Sequence, residues 1–241
     1  MAGASGNIYV GLLEFSDMAF LLHSLRSGDV FADIGANVGV YTILAAKNAG
    51  ARVLTVEPIP STFSKLRNNV IVNEVNQLVT LHPIGVGKEE STLFFTNSFD
   101  VENHVLPGND PLFDVNNTIE VKVKRIDEIV AGNEPVVMKM DIEGFEIPAL
   151  EGAKRLLSGN VLKAIIIELN GSGSKYGFKD DDIHELLLSH GFKPFKYHPF
   201  ERTFEEVEKY GTFNTIYLKD KEWASERVTN AKKFRVLNHS V

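Results

Sequence analysis

Residues 135–152 read PVVMKMDIEGFEIPALEG, and three charges interrupt what begins as a buried strand. Lys139, Asp141 and Glu143 alternate with Met140 and Ile142. Side chains of a strand alternate between its two faces, so these three charges would share one face. A charge removed from water costs several kcal/mol unless it is paired, so such a row calls for a reason. One reason is chemistry. Asp141 or Glu143 could accept a proton from an attacking group, and Lys139 could keep the neighbouring carboxylate ionised or orient it. Glu168 and Asn170, closing the apolar run LKAIIIEL, would reach the same cleft. A second arrangement uses Asp141, Glu143 and Glu168 as oxygen ligands for Mg²⁺, which the spacing permits without requiring. A third is structural: Lys139 and Asp141 tie adjacent strands, and Glu143 caps the next helix.

The second chemical stretch is DVFADIGANVGVYT, residues 29–42. An apolar strand ends at Asp33, Gly35 and Gly39 frame a turn, and a helical pattern follows at once. Glycines allow a backbone to approach a ligand that a Cβ would obstruct. Glu57 ends the next strand, about 20 residues beyond Gly35, a spacing at which a carboxylate can accept hydrogen bonds from ribose hydroxyls. A dinucleotide turn reads G-x-G-x-x-G, whereas the frame here is Asp33-x-Gly35-x-Asn37-x-Gly39. A carboxylate at the mouth repels a pyrophosphate but suits an ammonium group. S-adenosylmethionine (SAM) carries an ammonium, a sulfonium and a ribose without phosphate, so the local chemistry favours it over NAD. An ordinary strand–turn–helix with a capping Asp33 is the plain alternative.

Positioning these groups requires strands that alternate with helices. Strands are expected at 29–34, 52–57, 79–82, 136–141 and 162–169, with closing strands near 193–197 and 212–218. Helical patterns lie at 41–47, from Ser61 onward, from Pro148 onward and at 181–190. This is an α/β order, with a mostly parallel sheet of about seven strands and helices on both faces. Residues 1–28 would form an N-terminal helical cap. Between 85 and 125 the pattern becomes β-like, which predicts a β-rich insertion between the third and fourth core strands and a candidate substrate region. Inside it, NSFDVENHVLPGNDPLFDVNN reads as a long loop carrying His104. His198, in KYHPF, could line a sugar-stacking wall.

The chain has 241 residues, no cysteine and a net charge of −7, which fits one domain, 1–241, and excludes disulfides and thiolate chemistry. Acidic balance argues against a phosphate-backbone partner. No apolar run reaches the ~18 residues of a membrane span, and the first residues lack a signal-peptide pattern, so a cytoplasmic location is expected. The three N-x-S/T triplets, at Asn116, Asn170 and Asn238, then read as chance matches. The basic residues Arg227, Lys232, Lys233 and Arg235 read as a solvated tail, and Trp223 as packing for a C-terminal helix.

DIGANVGVYT, VEPIPSTFSKLRNNVIVN and KMDIEGFEIPALEGA, in that order, resemble the FkbM-type family of SAM-dependent methyltransferases. The likeness runs from about Gly28 to Leu157. It implies a Rossmann-like class I methyltransferase fold whose last strand is antiparallel, and O-methylation of a hydroxyl on a sugar, glycan or secondary metabolite. It places Asp33, Gly35, Asn37 and Gly39 on the SAM loop, with Ala36, Tyr41 and Thr42 in the same block. Glu57, followed by Pro58, falls on the ribose-binding acid. One departure is His82-Pro83-Ile84-Gly85, where many class I enzymes carry an acid near adenine; contact near Ile84 would then use backbone atoms. Two other readings stay open: an NAD(P)-dependent oxidoreductase or sugar-modifying enzyme on a similar sheet, and a SAM-binding interaction protein without catalysis.

Overall fold

The computed structural model describes residues 11–96, 105–106, 118–237 and 239–241. His104, most of the long loop, Asn116 and Asn238 lie outside the described residues. In chain order the elements begin with α1 (Phe15–Ser24), β1 (Val30–Ile34), α2 (Val40–Ile43), β2 (Arg52–Val56), α3 (Pro60–Val72) and β3 (Val79–His82). The inserted strands follow: β4 (Gly85–Val86), β5 (Ser91–Thr96), β6 (Val105–Leu106) and β7 (Thr118–Lys124). Next come α4 (Ile126–Ile129), β8 (Val137–Met140), α5 (Glu146–Glu151), α6 (Lys154–Ser158), β9 (Ala164–Glu168) and α7 (Asp180–Ser189). The chain closes with β10 (Lys193–His198), β11 (Thr203–Glu206), β12 (Asn214–Leu218), α8 (Lys221–Thr229), β13 (Arg235–Val236) and β14 (His239–Ser240). No helix among the described residues is long and apolar enough to cross a membrane.

The main sheet has the order β11-β10-β12-β9-β8-β1-β2-β3. Strands β3, β2, β1, β8 and β9 pair in parallel, and β12 runs antiparallel between β9 and β10. This is the Rossmann-like order expected, with one addition. β11 pairs with the edge of β10, making eight strands. Its residues, TFEE, contribute a single apolar side chain, so an apolar-pattern search passes over it. Phe204 nevertheless packs against Tyr197, ring centres 5.0 Å apart.

Both faces of the sheet are covered, which is why β1, β8 and β9 read as near-continuous apolar runs. One face, with Phe31, Val53, Val137, Ile166 and Ile216, packs on α1, on Leu66 and Val70 of α3, and on Ala224 and Val228 of α8. The other, with Ala32, Met138, Ile165 and Tyr217, meets Ile126, Ala149, Leu150, Leu157 and Ile183. Helix α2 continues into a π-helical segment, Leu44–Ala49, which ends at Gly50 with φ +71°. Helix α5 starts at Glu146, two residues before the expected Pro148, which is still in the first turn where its missing N–H costs nothing.

The C-terminal segment corrects the expectation of a solvated tail. Phe234, Val236 and Val241 are buried in the first core, and Phe234 and Val241 exchange backbone hydrogen bonds of 2.7 and 2.9 Å. Arg227 pairs with Asp29 at 2.7 Å and stacks over the Trp223 ring at 5.1 Å.

The insertion forms its own sheet, ordered β4-β7-β5-β6. On β7, Val121 and Val123 are buried while Glu120, Lys122 and Lys124 are exposed, as the alternation requires. Phe95 and Val121 pack on Ile59 at the start of α3, with Phe145 alongside. The small sheet is tied to the main body where Gly152, after α5, abuts Gly87 at the end of β4. A Cβ on Gly152 would overlap the Gly87 carbonyl oxygen, a backbone atom with little freedom to move. Gly152→Ala is therefore expected to lower unfolding free energy by about 1–3 kcal/mol, read from urea melts.

Candidate active site

Strand β1 sits where the chain order reverses, with β2 on one side and β8 on the other. A crevice opens there at the carboxyl ends of the strands. The loop after β1 folds over the end of β2 because the amides of Gly35 and Ala36 both donate to the Val56 carbonyl at 3.0 Å. Gly35 has φ +82°, and a Cβ there would overlap the Asp141 carbonyl oxygen. The loop thus lies backbone to backbone against the end of β8. Asn37, at φ +50°, turns its amide N–H to Glu57 Oε2 at 3.0 Å.

Glu57 is 5% exposed, and its Oε1 accepts from the Ile59 amide at 2.9 Å. Burial pushes its carboxyl up to about 7, outweighing the Ile59 and Asn37 hydrogen bonds that favour the anion. Each oxygen retains a lone pair beyond its backbone donor, so the carboxylate can still accept hydroxyl donors from a ligand.

On β8 the register sets Lys139 beside Asp33. Lys139 is 3% exposed, and its ammonium donates to Asn214 Oδ1 at 2.9 Å and to Asp141 Oδ2 at 3.3 Å. Burial opposes its charge, but Asp141, Glu14 and Glu168 outweigh burial and raise its pKa. Glu168, half-buried at the end of β9, hydrogen-bonds Asp141. Burial and then the Asp141 charge push it up to about 8, so near neutrality Glu168 holds the proton and Asp141 accepts from it.

Beyond Asp141 the chain turns through Glu143 at φ +56° and Gly144 at φ +100°. Buried Glu146 braces this turn, accepting from the Ile142 amide at 3.3 Å and the Gly144 amide at 3.1 Å. Glu143, expected on the structural alternative to cap the next helix, lines the crevice instead, and Phe145 stands at the helix N-cap. Oxygens of Asp141, Glu143 and Glu168 lie within 4.8 Å of one another, close enough to share a divalent cation.

The crevice holds about 780 Å³ of empty space, part of it continuous with bulk solvent. Of the expected residues, Gly35, Asn37, Glu57, Pro58, Asp141 and Glu143 line it together. Val56, Ile59, Thr62, Gly85, Val86, Phe95, Ile142 and Phe145 complete the wall. Several expected contacts are corrected. Asp33 is 1% exposed and accepts from Thr42 Oγ1 at 2.5 Å, so the two satisfy each other behind the loop. Gly39 packs on Leu66, Ala36 and Tyr41 lie in the first core, and Ile84 packs into the second core, leaving Gly85 and Val86 on the wall. Lys139 stands beneath Asp141, and Glu168 stands beside it. Asn170 is exposed and accepts from the Ser172 amide at 2.9 Å in a turn. His198 pairs with Glu205 at 3.2 Å across the β10–β11 hairpin, outside the crevice wall.

Sequence reasoning missed Glu14, Asn214 and Glu146. Only Glu146 carried a usable signal, an acid two residues after the turn glycine Gly144. Glu14 and Asn214 meet from opposite ends of the chain.

The Methyltransferase FkbM domain family matches residues 33–194. The chain is 26% identical over 165 residues to Methyltransferase 1 of Beauveria bassiana, covering 57% of this chain and 64% of that protein. It is 25% identical over 211 residues to the 31-O-demethyl-FK506 methyltransferase FkbM of Streptomyces tacrolimicus, covering 74% and 78%. With the hexuronic acid methyltransferase AglP of Haloferax volcanii the figures are 26% over 170 residues, covering 69% and 64%. The chain thus spans 64% of the length of two of these relatives and 78% of the other. With the family match covering more than half of its residues, the chain belongs to the FkbM methyltransferase family.

Proposed function

We propose that the protein is a SAM-dependent O-methyltransferase acting on a hydroxyl of a sugar, glycan or secondary metabolite. The observation carrying this reading is a crevice that joins Glu57 and the Gly35–Asn37 loop to Asp141 and Glu143. No lysine or arginine is among its described lining residues, and three carboxylates are. Such a wall suits a cationic nucleoside and disfavours a pyrophosphate, which counts against NAD(P). The small and apolar wall of Gly85, Val86 and Phe95 offers a flat adenine ring a place beside β4. Names of two relatives, a hexuronic acid methyltransferase and a 31-O-demethyl-FK506 methyltransferase, support a sugar or secondary-metabolite acceptor. The acidic chain and its acidic crevice favour a small-molecule or glycan acceptor over a nucleic acid.

Bound SAM supplies a methyl group made electrophilic by its sulfonium. Glu57 accepts the ribose hydroxyls, and the loop at Gly35 lets the ligand approach the backbone. Asp141 would take the proton of the acceptor hydroxyl, making its oxygen nucleophilic toward the methyl group that bound SAM would supply. Lys139 donates to Asp141 from beneath and Glu168 hydrogen-bonds it from the side, which together fix where it points. Much of the rate comes from alignment in the crevice, because methyl transfer is an in-line displacement. An alternative places Mg²⁺ among Asp141, Glu143 and Glu168, where it would acidify the hydroxyl. A SAM-binding protein without catalysis would bind but show no turnover with any acceptor.

Calorimetry with S-adenosylhomocysteine should give micromolar binding, weakened about 10–100-fold by Glu57→Ala, while NAD and NADP do not bind. Binding of NAD alone would reject this reading. The ionised form of Glu57 accepts two hydroxyls, whereas protonation, centred at about 7, removes an acceptor site. Affinity should therefore fall with decreasing pH below about 7, by up to tenfold per unit, and level off above it. Glu57→Gln should flatten that profile.

A screen of hexuronic acid glycosides and macrolide hydroxyls should identify an acceptor. Asp141→Asn should then lower turnover about 10²–10⁴-fold. Retention of wild-type turnover in excess EDTA supports the proton-acceptor reading, whereas loss restored by Mg²⁺ favours the metal.

A further inference from the structure

Lys139 is held from behind by a closed ring of side chains drawn from four separate places in the chain. Its ammonium donates to Asn214 Oδ1 at 2.9 Å, and Asn214 Nδ2 donates to Glu14 Oε2 at 2.6 Å. The Tyr41 hydroxyl donates to that same Glu14 oxygen, and Lys139 Nζ lies 5.6 Å over the Tyr41 ring, closing the ring. Glu14 precedes α1, Tyr41 lies on α2, Lys139 on β8 and Asn214 opens β12. Glu14 and Asn214 lie outside residues 33–194, so the family match assigns them nothing.

The chemistry of the ring admits only one orientation of the Asn214 amide. An ammonium only donates and a carboxylate only accepts, so the amide must turn its oxygen to Lys139 and its NH₂ to Glu14. A carboxylate in place of that amide would satisfy Lys139 but meet Glu14 oxygen to oxygen. A leucine of similar size would strip Lys139 of its acceptor on this side and Glu14 of one of its donors. An amide suits this place best, because it joins two opposite charges without adding one. Glu14 is in turn committed to Asn214 and Tyr41 through a single oxygen.

From these contacts we infer that Glu14, Asn214 and Tyr41 are positioning residues that hold the Lys139 ammonium beneath Asp141 and so aim the Asp141 carboxylate as the proton acceptor. The proton-acceptor part rests on the function proposed above; the clamp on Lys139 does not. Lys139 has other acidic neighbours, Asp17, Asp33 and Glu168, that could draw it elsewhere. The ring fixes its position among them. It also makes the segment before α1 part of the site, although that segment is remote from the crevice wall in sequence.

The test uses the ligand-free chain and needs no acceptor. Amide NMR spectra first establish that Asn214→Ala, Glu14→Gln and Tyr41→Phe are folded. The Lys139 ammonium ¹H–¹⁵N signal and the through-space contacts of the Lys139 side chain with the Tyr41 ring are then compared at one pH. In the wild type the ammonium should be protected from exchange and visible. In Asn214→Ala that signal should broaden away and the contacts with the Tyr41 ring should be lost as the cation loses its place. Glu14→Gln should weaken both, and Tyr41→Phe should do so least because the ring face is kept.

Should Asn214→Ala fail to fold, the isosteric Asn214→Asp serves instead, with the same loss of the Tyr41 contacts expected as its carboxylate meets Glu14 oxygen to oxygen and opens the ring. A folded variant that keeps both the wild-type ammonium signal and the wild-type Tyr41 contacts overturns the inference. Calorimetry with S-adenosylhomocysteine on the wild type keeps the two readings apart. Absence of binding there counts against the cofactor, whereas an unmoved ammonium signal counts against the clamp.

Discussion

A lysine ammonium buried at the point where the strand order reverses must be surrounded by anions and acceptors, and much of the site follows from that requirement. Lys139 is 3% exposed, and desolvation of an isolated ammonium would cost several kcal/mol. Asp141 answers it on the crevice side and the Asn214 amide on the other. Asp33 neighbours it through the β1–β8 register, yet spends its hydrogen bond on Thr42. One buried cation therefore organises acids from β1, β8, β9 and the segment before α1. The result is a crevice whose far wall carries negative charge held in a defined geometry.

That concentration of acid has a consequence for protonation. Burial pushes Asp33 up to about 6, Glu57 and Glu146 to about 7, and Glu168 to about 8. Lys139 stabilises its neighbours as anions only in part, so near neutrality the acids divide between protonated and ionised forms. Glu168 and Asp141 are the clearest case, because two close carboxyls cannot both ionise freely. A proton on Glu168 leaves Asp141 as the acceptor of that hydrogen bond. The same acids make the crevice electrostatically suited to a cation and poorly suited to a phosphate.

The backbone supplies the remaining precision. Gly35 lies against the Asp141 carbonyl with no room for a side chain, so the loop after β1 and the β8 terminus meet backbone to backbone in one seam. Glu143 and Gly144 both take positive φ, and Glu146 accepts the two amides that this turn exposes. On the other side, the inserted sheet closes the wall through Phe95 and Val121 against Ile59. The crevice is thus shaped by backbone contacts and given its charge by side chains.

Local pattern carried much of this. Apolar periodicity placed β1, β2, β8 and β9 because covered parallel strands need continuous apolar runs, and glycine spacing placed the loop because only glycine takes those conformations without cost. Glu57 was legible from its distance to that loop, and Lys139, Asp141 and Glu143 from their alternation on a strand. Tertiary structure alone decided the rest. It turned Asp33 to Thr42, handed the bracing of the turn to Glu146, added β11 through one aromatic side chain, and folded Phe234 and Val241 back onto the core. It also brought Glu14 and Asn214 together. A hydrogen bond between residues so far apart in the chain leaves no periodicity in either neighbourhood, because what creates it is the burial of Lys139 between them. The sequence by itself determined which residues could carry charge and where strands and turns would fall; how those charges pair depends on desolvation, which exists only once the sheet has closed around them.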